Sequence, residues 1–406
     1  MDKSELIEGT QMTWQRLETV LQESLGTKSE LIGGTCKIIG AFQGFTARIM
    51  RVELVWAGAD DSTTPPGSVV FKMPSAYNCD EVAKEVPELN ELAQATAEFI
   101  ERPHNTECAL YRYVKGREER LQIPRTYFLE EVSKDASGLI VMEDLSSCGY
   151  AADVWEFADL DLIRDVVSSL ASLRALSLQD KSWLSDSNLN KTMLDEKPKS
   201  FEQLSKMVEQ SADAMVKHFP EFYPEWVASK LKRYADLKHF LYVGKLHEEL
   251  GIPPVLVHVD CRISNMFVKK DASGRRRLVS VFDWQSSHPG TFAESLGRFL
   301  CFSADANVRQ HTKEIIGWYY EALHREMSAA GLPAPFEQAL EAYRRCFKFA
   351  VRYSAPPFAL FGQSEALTEH WPDKAAARQL LQSNANAMIE EMLELEEHGR
   401  VPWPWA

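Results

Sequence analysis

Three oxygen-bearing side chains, Asp260, Asn265 and Asp283, occur in one short stretch whose pattern can bring them together. VLV (255–257) reads as a short apolar strand and HVDCRISN (258–265) as a polar loop. MFVKK (266–270) reads as a second strand, DASGRRR (271–277) carries turn residues at Asp271, Ser273 and Gly274, and LVSVF (278–282) returns antiparallel. A hairpin closes its two open ends on each other. Asn265 stands just before the outgoing strand and Asp283 just after the returning one, while Asp260 lies five residues ahead of Asn265 on the same loop. Two carboxylates and one amide oxygen thus converge. Hard oxygen ligands of this kind suit Mg²⁺, which takes few protein oxygens and completes its shell with water and phosphate.

The spacing D-x-x-x-x-N, a hairpin, then D resembles the catalytic-loop and metal-binding pattern of protein kinases and of the aminoglycoside and choline kinases. VLVHVDCRISNMF is similar to V-x-H-G-D-L-W-x-x-N of the small-molecule branch, and FDWQSSHPG to its I-D-W-Q. The nearest resemblance is to the CHK kinase-like, or ecdysteroid kinase-like, group of animals. It implies Asp260 as the catalytic base or orienting group for an attacking hydroxyl, Asn265 and Asp283 as metal ligands, and His258 as a structural support of the loop.

The same template assigns roles upstream. AFQGFTAR lies between two strand patterns, as a phosphate-covering turn should, with the single glycine Gly44. Lys72 sits in apolar VVFKM, where an unpaired charge is expensive. Glu107, in HNTECALYRY, is its implied partner at the start of the next helix. GLIVMEDL resembles the strand entering a kinase hinge: backbone groups from Glu143 to Leu145 would bind adenine, and Met142 would line the pocket. Five positions depart from the pattern. Val259 replaces a glycine and would restrict the backbone; Cys261 and Arg262 replace Leu-Trp. Ser295 replaces an aspartate, with loss of a supporting hydrogen bond expected, and Arg174 stands where relatives carry histidine.

The elements that must position these residues follow from periodicity. Residues 4–25 predict a helix, and 36–42, 47–56 and 68–73 predict strands separated by turns. Residues 80–117 are helix-forming, with Pro103 expected to interrupt them and Asn105 to cap a new helix. Strands at 126–132 and 138–144 follow. From about 157 to 250, and again after 285, the pattern is helical. The expected fold is α+β and bilobal, protein-kinase-like: a small β-rich lobe over 1–145 and a larger helical lobe over 146–406 carrying the catalytic loop and the metal-site hairpin.

Composition sets outer bounds. A chain of 406 residues is long enough for two lobes, and a net charge of −14 argues against a nucleic-acid binder. No apolar run is long enough to span a bilayer, and the opening MDKSELIEGTQMTW lacks a secretory pattern. Seven cysteines form no CxxC pair and fit a reducing, cytoplasmic setting. His258, Asp260 and Cys261 match no zinc spacing; RRR (275–277) reads as a solvated turn, and Trp403 and Trp405 as a tail that docks or frays. The combined reading is an ATP- and Mg²⁺-dependent phosphotransferase whose acceptor is a hydroxyl-bearing small molecule: ecdysteroid-like, choline-like, or a sugar or xenobiotic alcohol. The rival is a pseudokinase-type nucleotide- or partner-binding module without turnover, suggested by Val259 and Ser295.

Overall fold

Apolar residues at every second position of Ala47–Ala57 give a strand with one buried face, and the neighbouring strands repeat the pattern. In a computed structural model, which describes residues 1–39, 46–58, 64–77, 84, 100–192, 198–232, 243–327, 335–361 and 365–397, these strands join one antiparallel sheet. After helix α1 (Trp14–Leu25) come β1 (Glu30–Ile39), β2 (Ala47–Ala57) and β3 (Ser68–Pro74). Then follow α2 (Glu101–Val114), β4 (Thr126–Val132) and β5 (Ser137–Glu143), in the sheet order β1-β2-β3-β5-β4.

The pleat sends the two faces to different tasks. Met50, Val52, Leu54, Val69, Phe71, Leu139 and Val141 pack with Trp14, Leu17 and Leu21 of α1 into one core. Gly34 permits this approach, since a Cβ there would lie 2.5 Å from the Trp14 ring. The opposite face presents Ile49, Val70, Lys72 and Met142 to a cleft. Register pairs Ile49 with Lys72 and Lys72 with Ile140, so the lysine stands at the centre of the sheet.

Two expectations for this region are corrected. The first helix begins at Trp14, not at residue 4. Thr13 caps it, its hydroxyl accepting from the Arg16 N–H at 3.1 Å, and the preceding chain turns at Gly9, where φ is +75°. Pro103 does not interrupt α2: it lies in the first turn, where the missing N–H has no intrahelical partner. Asn105 is therefore no cap. Its side chain clamps β4, donating to the Val132 carbonyl at 3.1 Å and accepting from the Val132 N–H at 2.8 Å.

The remainder is helical apart from two small sheets. β6 (Tyr150–Ala151) precedes α3 (Leu160–Gln179), capped by Asp159, then α4 (Pro198–His218) and α5 (Glu225–Lys232). β7 (Val255–Val257), β8 (Met266–Lys270), β9 (Arg276–Val281) and β10 (His288–Gly290) form the island read from the sequence. Its hairpin turn is as expected: Asp271 accepts from the N–H groups of Ser273 and Arg275, and Gly274 takes φ +81°. Helices α6 (Phe292–Ser303), α7 (Thr312–Glu326), α8 (Phe336–Phe361) and α9 (Lys374–Glu397) complete the body. α6 packs along α8, α8 along α9, and α3 along α7. A β-rich N-terminal region and a helical C-terminal region thus match the expected α+β class. No helix among the described residues is long and apolar enough to cross a membrane. The tail with Trp403 and Trp405 lies outside the described residues.

Candidate active site

A lysine in the middle of a sheet must find partners, and Lys72 has two. Its Nζ donates to Glu107 Oε2 at 2.5 Å and to Asp283 Oδ1 at 2.7 Å. Burial works against the ammonium, but the two carboxylates outweigh it and raise its pKa, so the amine stays protonated. Glu107 comes from the second turn of α2, one turn later than expected, and its other oxygen accepts from the Tyr111 hydroxyl at 3.1 Å. Burial pushes the Glu107 carboxyl up while Lys72 pulls it back. Asp283 reaches the pair because its backbone turns sharply after β9, at φ +65°, a left-handed conformation that aspartate tolerates better than most residues.

The hairpin brings the other end of the set to the same place. Met266 pairs with Val281, and the Phe282 N–H donates to the Asn265 carbonyl at 3.0 Å, which seats Asn265 beside Asp283. The Asn265 amide nitrogen donates to Asp260 twice, to its carbonyl at 2.9 Å and to Oδ2 at 3.1 Å. That leaves Asn265 Oδ1 as the side-chain atom open to a cation. With the Asp283 carboxylate it forms a hard oxygen pair of the kind Mg²⁺ takes, so the residues fit the ion inferred from the sequence. Asp260 is itself held by Arg262, whose Nε donates to Oδ2 at 3.2 Å, and by Arg298, whose Nη2 lies 3.9 Å from Oδ1. Burial would raise its pKa, but the two guanidiniums outweigh it and keep the group below the usual carboxylate range.

The support beneath the loop is as the sequence indicated, with one correction. His258 is fully buried, its ring tilted against Trp284 with centroids 4.3 Å apart, and its Nε2 donates to the Phe282 carbonyl at 3.0 Å. Burial lowers its pKa, which favours the neutral ring. The hydrogen bond expected to vanish with Ser295 is present. The Ser295 hydroxyl accepts from the His258 N–H at 2.9 Å, a reach the short side chain has because α6 packs directly against the loop. Val259 stays out of the positive-φ region where only glycine is at ease, and its carbonyl accepts from Arg298 Nε at 3.0 Å. Arg174 is buried over the Phe292 ring at 4.8 Å and the Tyr319 ring at 5.6 Å, so the helical body absorbs it.

These groups line a cleft of about 630 Å³. Lys72, Glu107, Asn265 and Asp283 supply polar groups to its lining; Met142, Glu143, Leu145, Val70, Phe267 and Phe282 line it as well. Asp260 stands just behind the wall with 24% of its side chain exposed. Gly44 lies outside the described residues.

Several contacts at the cleft escaped the sequence reading. Arg51 forms an ion pair with Asp144 at 2.8 Å, and Asp144 also accepts from the Ser68 hydroxyl at 2.7 Å. Gln285 accepts from Thr46 at 2.5 Å, tying the loop after β9 to the start of β2. Far along the chain, His370 and Trp371 both meet the Asp153 carboxylate, at 2.7 and 3.1 Å, and close one side of the mouth. The D in MED and the Q in DWQ were local signals available for the first two; nothing in the sequence connects residue 371 to residue 153.

Similar solved structures include choline kinase from Cryptosporidium parvum Iowa II, at 12% identity and TM-score 0.49, covering 91% of this chain and 92% of that one. Plasmodium vivax ethanolamine kinase matches at 12% identity and TM-score 0.43, covering 95% and 90%. A putative aminoglycoside phosphotransferase from Ralstonia eutropha matches at 13% identity and TM-score 0.43, covering 93% and 98%. No curated protein matched. Residues 1–399 match one family from nearly end to end, and the chain belongs to that family, described as DUF1679: Uncharacterized oxidoreductase dhs-27.

Proposed function

We propose that the protein is an ATP-dependent phosphotransferase that moves the γ-phosphate to a hydroxyl of a small molecule, with Asp260 as the orienting carboxylate. The observation that carries this reading is the buried Lys72 held between Glu107 and Asp283 in the lining of the cleft. A charged amine fixed in a dry site is poised to neutralise phosphate oxygens, and phosphoryl transfer is catalysed mostly by positioning and charge neutralisation. Glu107 and Tyr111 fix the reach of the amine. Backbone groups of Glu143–Leu145 and the side chains of Val70, Met142 and Phe267 would receive the adenine, and Gly44 would belong to the turn over the phosphates. Asn265 Oδ1 and Asp283 would hold Mg²⁺, which when bound supplies positive charge to the phosphate oxygens. Asp260 has Oδ2 engaged by Asn265 and Arg262, so Oδ1 is the atom left to accept the hydrogen of an incoming hydroxyl. Its lowered pKa suits orientation of that hydroxyl more than storage of its proton. The division into a lobe over 1–145 and a lobe over 146–406 belongs to the same reading.

The family description speaks of an oxidoreductase. A nicotinamide dinucleotide site of the usual kind rests on parallel strands joined by helices. Every paired strand among the described residues is antiparallel. The phosphotransfer reading gives the Lys72 pair a task that hydride transfer leaves unexplained. Incubation with Mg²⁺ and labelled ATP across a panel of small alcohols tests it. Label transfer to at least one acceptor is expected. Stabilisation by Mg-ATP with no transfer across the panel would favour a binding module without turnover, and NADPH binding in place of ATP would favour the oxidoreductase.

A further inference from the structure

The cations on the cleft wall are not equally balanced. Lys72 is matched by Glu107 and Asp283, and Arg51 by Asp144. Around Asp260 the ratio reverses: one carboxylate faces the two guanidiniums of Arg262 and Arg298 and the Asn265 amide. Arg298 is spent elsewhere as well, donating to the Val259 carbonyl at 3.0 Å and to Ser354 at 3.2 Å. Arg262 is the one of the two that lines the cleft, alongside Ser264, Asn265 and Asp283.

Its orientation is built in. The Arg262 backbone is extended, at φ −151° and ψ 156°, immediately before the short helical turn Ile263–Asn265. Nε is anchored on Asp260 at 3.2 Å and Nη1 on the Ser264 hydroxyl at 2.7 Å. A planar guanidinium held by two of its edges has a fixed direction for its remaining N–H groups, which is the arrangement that recognises phosphate oxygens with little entropic loss.

On the phosphotransferase reading above, we infer that Arg262 contacts the terminal phosphate of the nucleotide, serving as a second fixed cation across the cleft from Lys72. The transferred group must meet the acceptor beside Asp260, and Arg262 sits one hydrogen bond from that carboxylate. In this chain the arginine stands where the resembling motif has tryptophan, so the charge is a feature of this loop and not of the motif.

The test is calorimetric titration of Mg-ATP and of Mg-ADP into the full chain, as wild type, Arg262→Gln and Arg262→Lys. A cation on the terminal phosphate predicts that Arg262→Gln weakens ATP binding by about tenfold or more while ADP binding changes less than about twofold, with Arg262→Lys between. The ADP arm shows at once that a variant is folded; if the glutamine variant does not fold, the lysine variant carries the same comparison. Equal weakening of both nucleotides, or no change in either, overturns the inference and leaves the phosphotransferase reading standing. A wild-type protein that binds neither nucleotide overturns both.

Discussion

Two buried lysines, one in each region, meet opposite fates. Lys72, 8% exposed in the β-rich region, faces two carboxylates and is held protonated. Lys348, 1% exposed on α8, lies beside Arg352, and burial together with that neighbouring charge lowers its pKa to about 8. Depth alone therefore does not decide the state of a buried amine; the sign of its neighbours does. The first arrangement keeps a protonated amine at the cleft wall. The second disfavours the charged form of an amine inside a helical body.

The comparison is broken most severely by removing an acidic partner of Lys72 on the loop after β9. Asp283→Asn should lower transfer roughly 100- to 1000-fold, read as kcat with labelled ATP, because it weakens both the grip on the amine and the oxygen pair with Asn265. Glu107→Ala should destabilise the fold by about 3–5 kcal/mol, seen in denaturant unfolding, since a buried ammonium loses one partner and Tyr111 another.

Lys348→Met should act in the other direction. The folded pKa of Lys348 lies below that of the unfolded chain, so the folded state binds fewer protons between about pH 8 and 10.5 and wild-type stability contributed by this group rises with pH there. The variant should be more stable than wild type at pH 7 by roughly 1–3 kcal/mol, and the gain should shrink as pH rises through that window. A thermal-melt series from pH 7 to 10 reads both. The smallest effect is expected from Ser295→Ala. It removes the acceptor of the His258 N–H and should lower stability by about 1 kcal/mol, with a modest fall in transfer rate through displacement of the Asp260 loop.

How much of this was legible depended on the range of the signal. The hairpin could be read because Asp271, Ser273 and Gly274 fix the turn locally, and a closed hairpin forces Asn265 and Asp283 together whatever surrounds it. The β-strands could be read from alternation, which depends only on having one buried face. Pro103 was misjudged because its consequence depends on its distance from the helix start, and that start at Glu101 has no side-chain cap to mark it in the sequence. The Ser295 hydrogen bond depends on how closely α6 approaches the loop, a distance no spacing rule contains. The His370 and Trp371 contacts with Asp153 join residues 217 and 218 positions apart in the chain and have no local signature.

The claim that Lys72 is a nucleotide-binding cation is tested most directly by Mg-ATP titration calorimetry on the wild type and on Lys72→Met. A saturable wild-type isotherm that flattens in a variant still folded by circular dichroism is the expected result. An isotherm unchanged by the substitution would contradict the account.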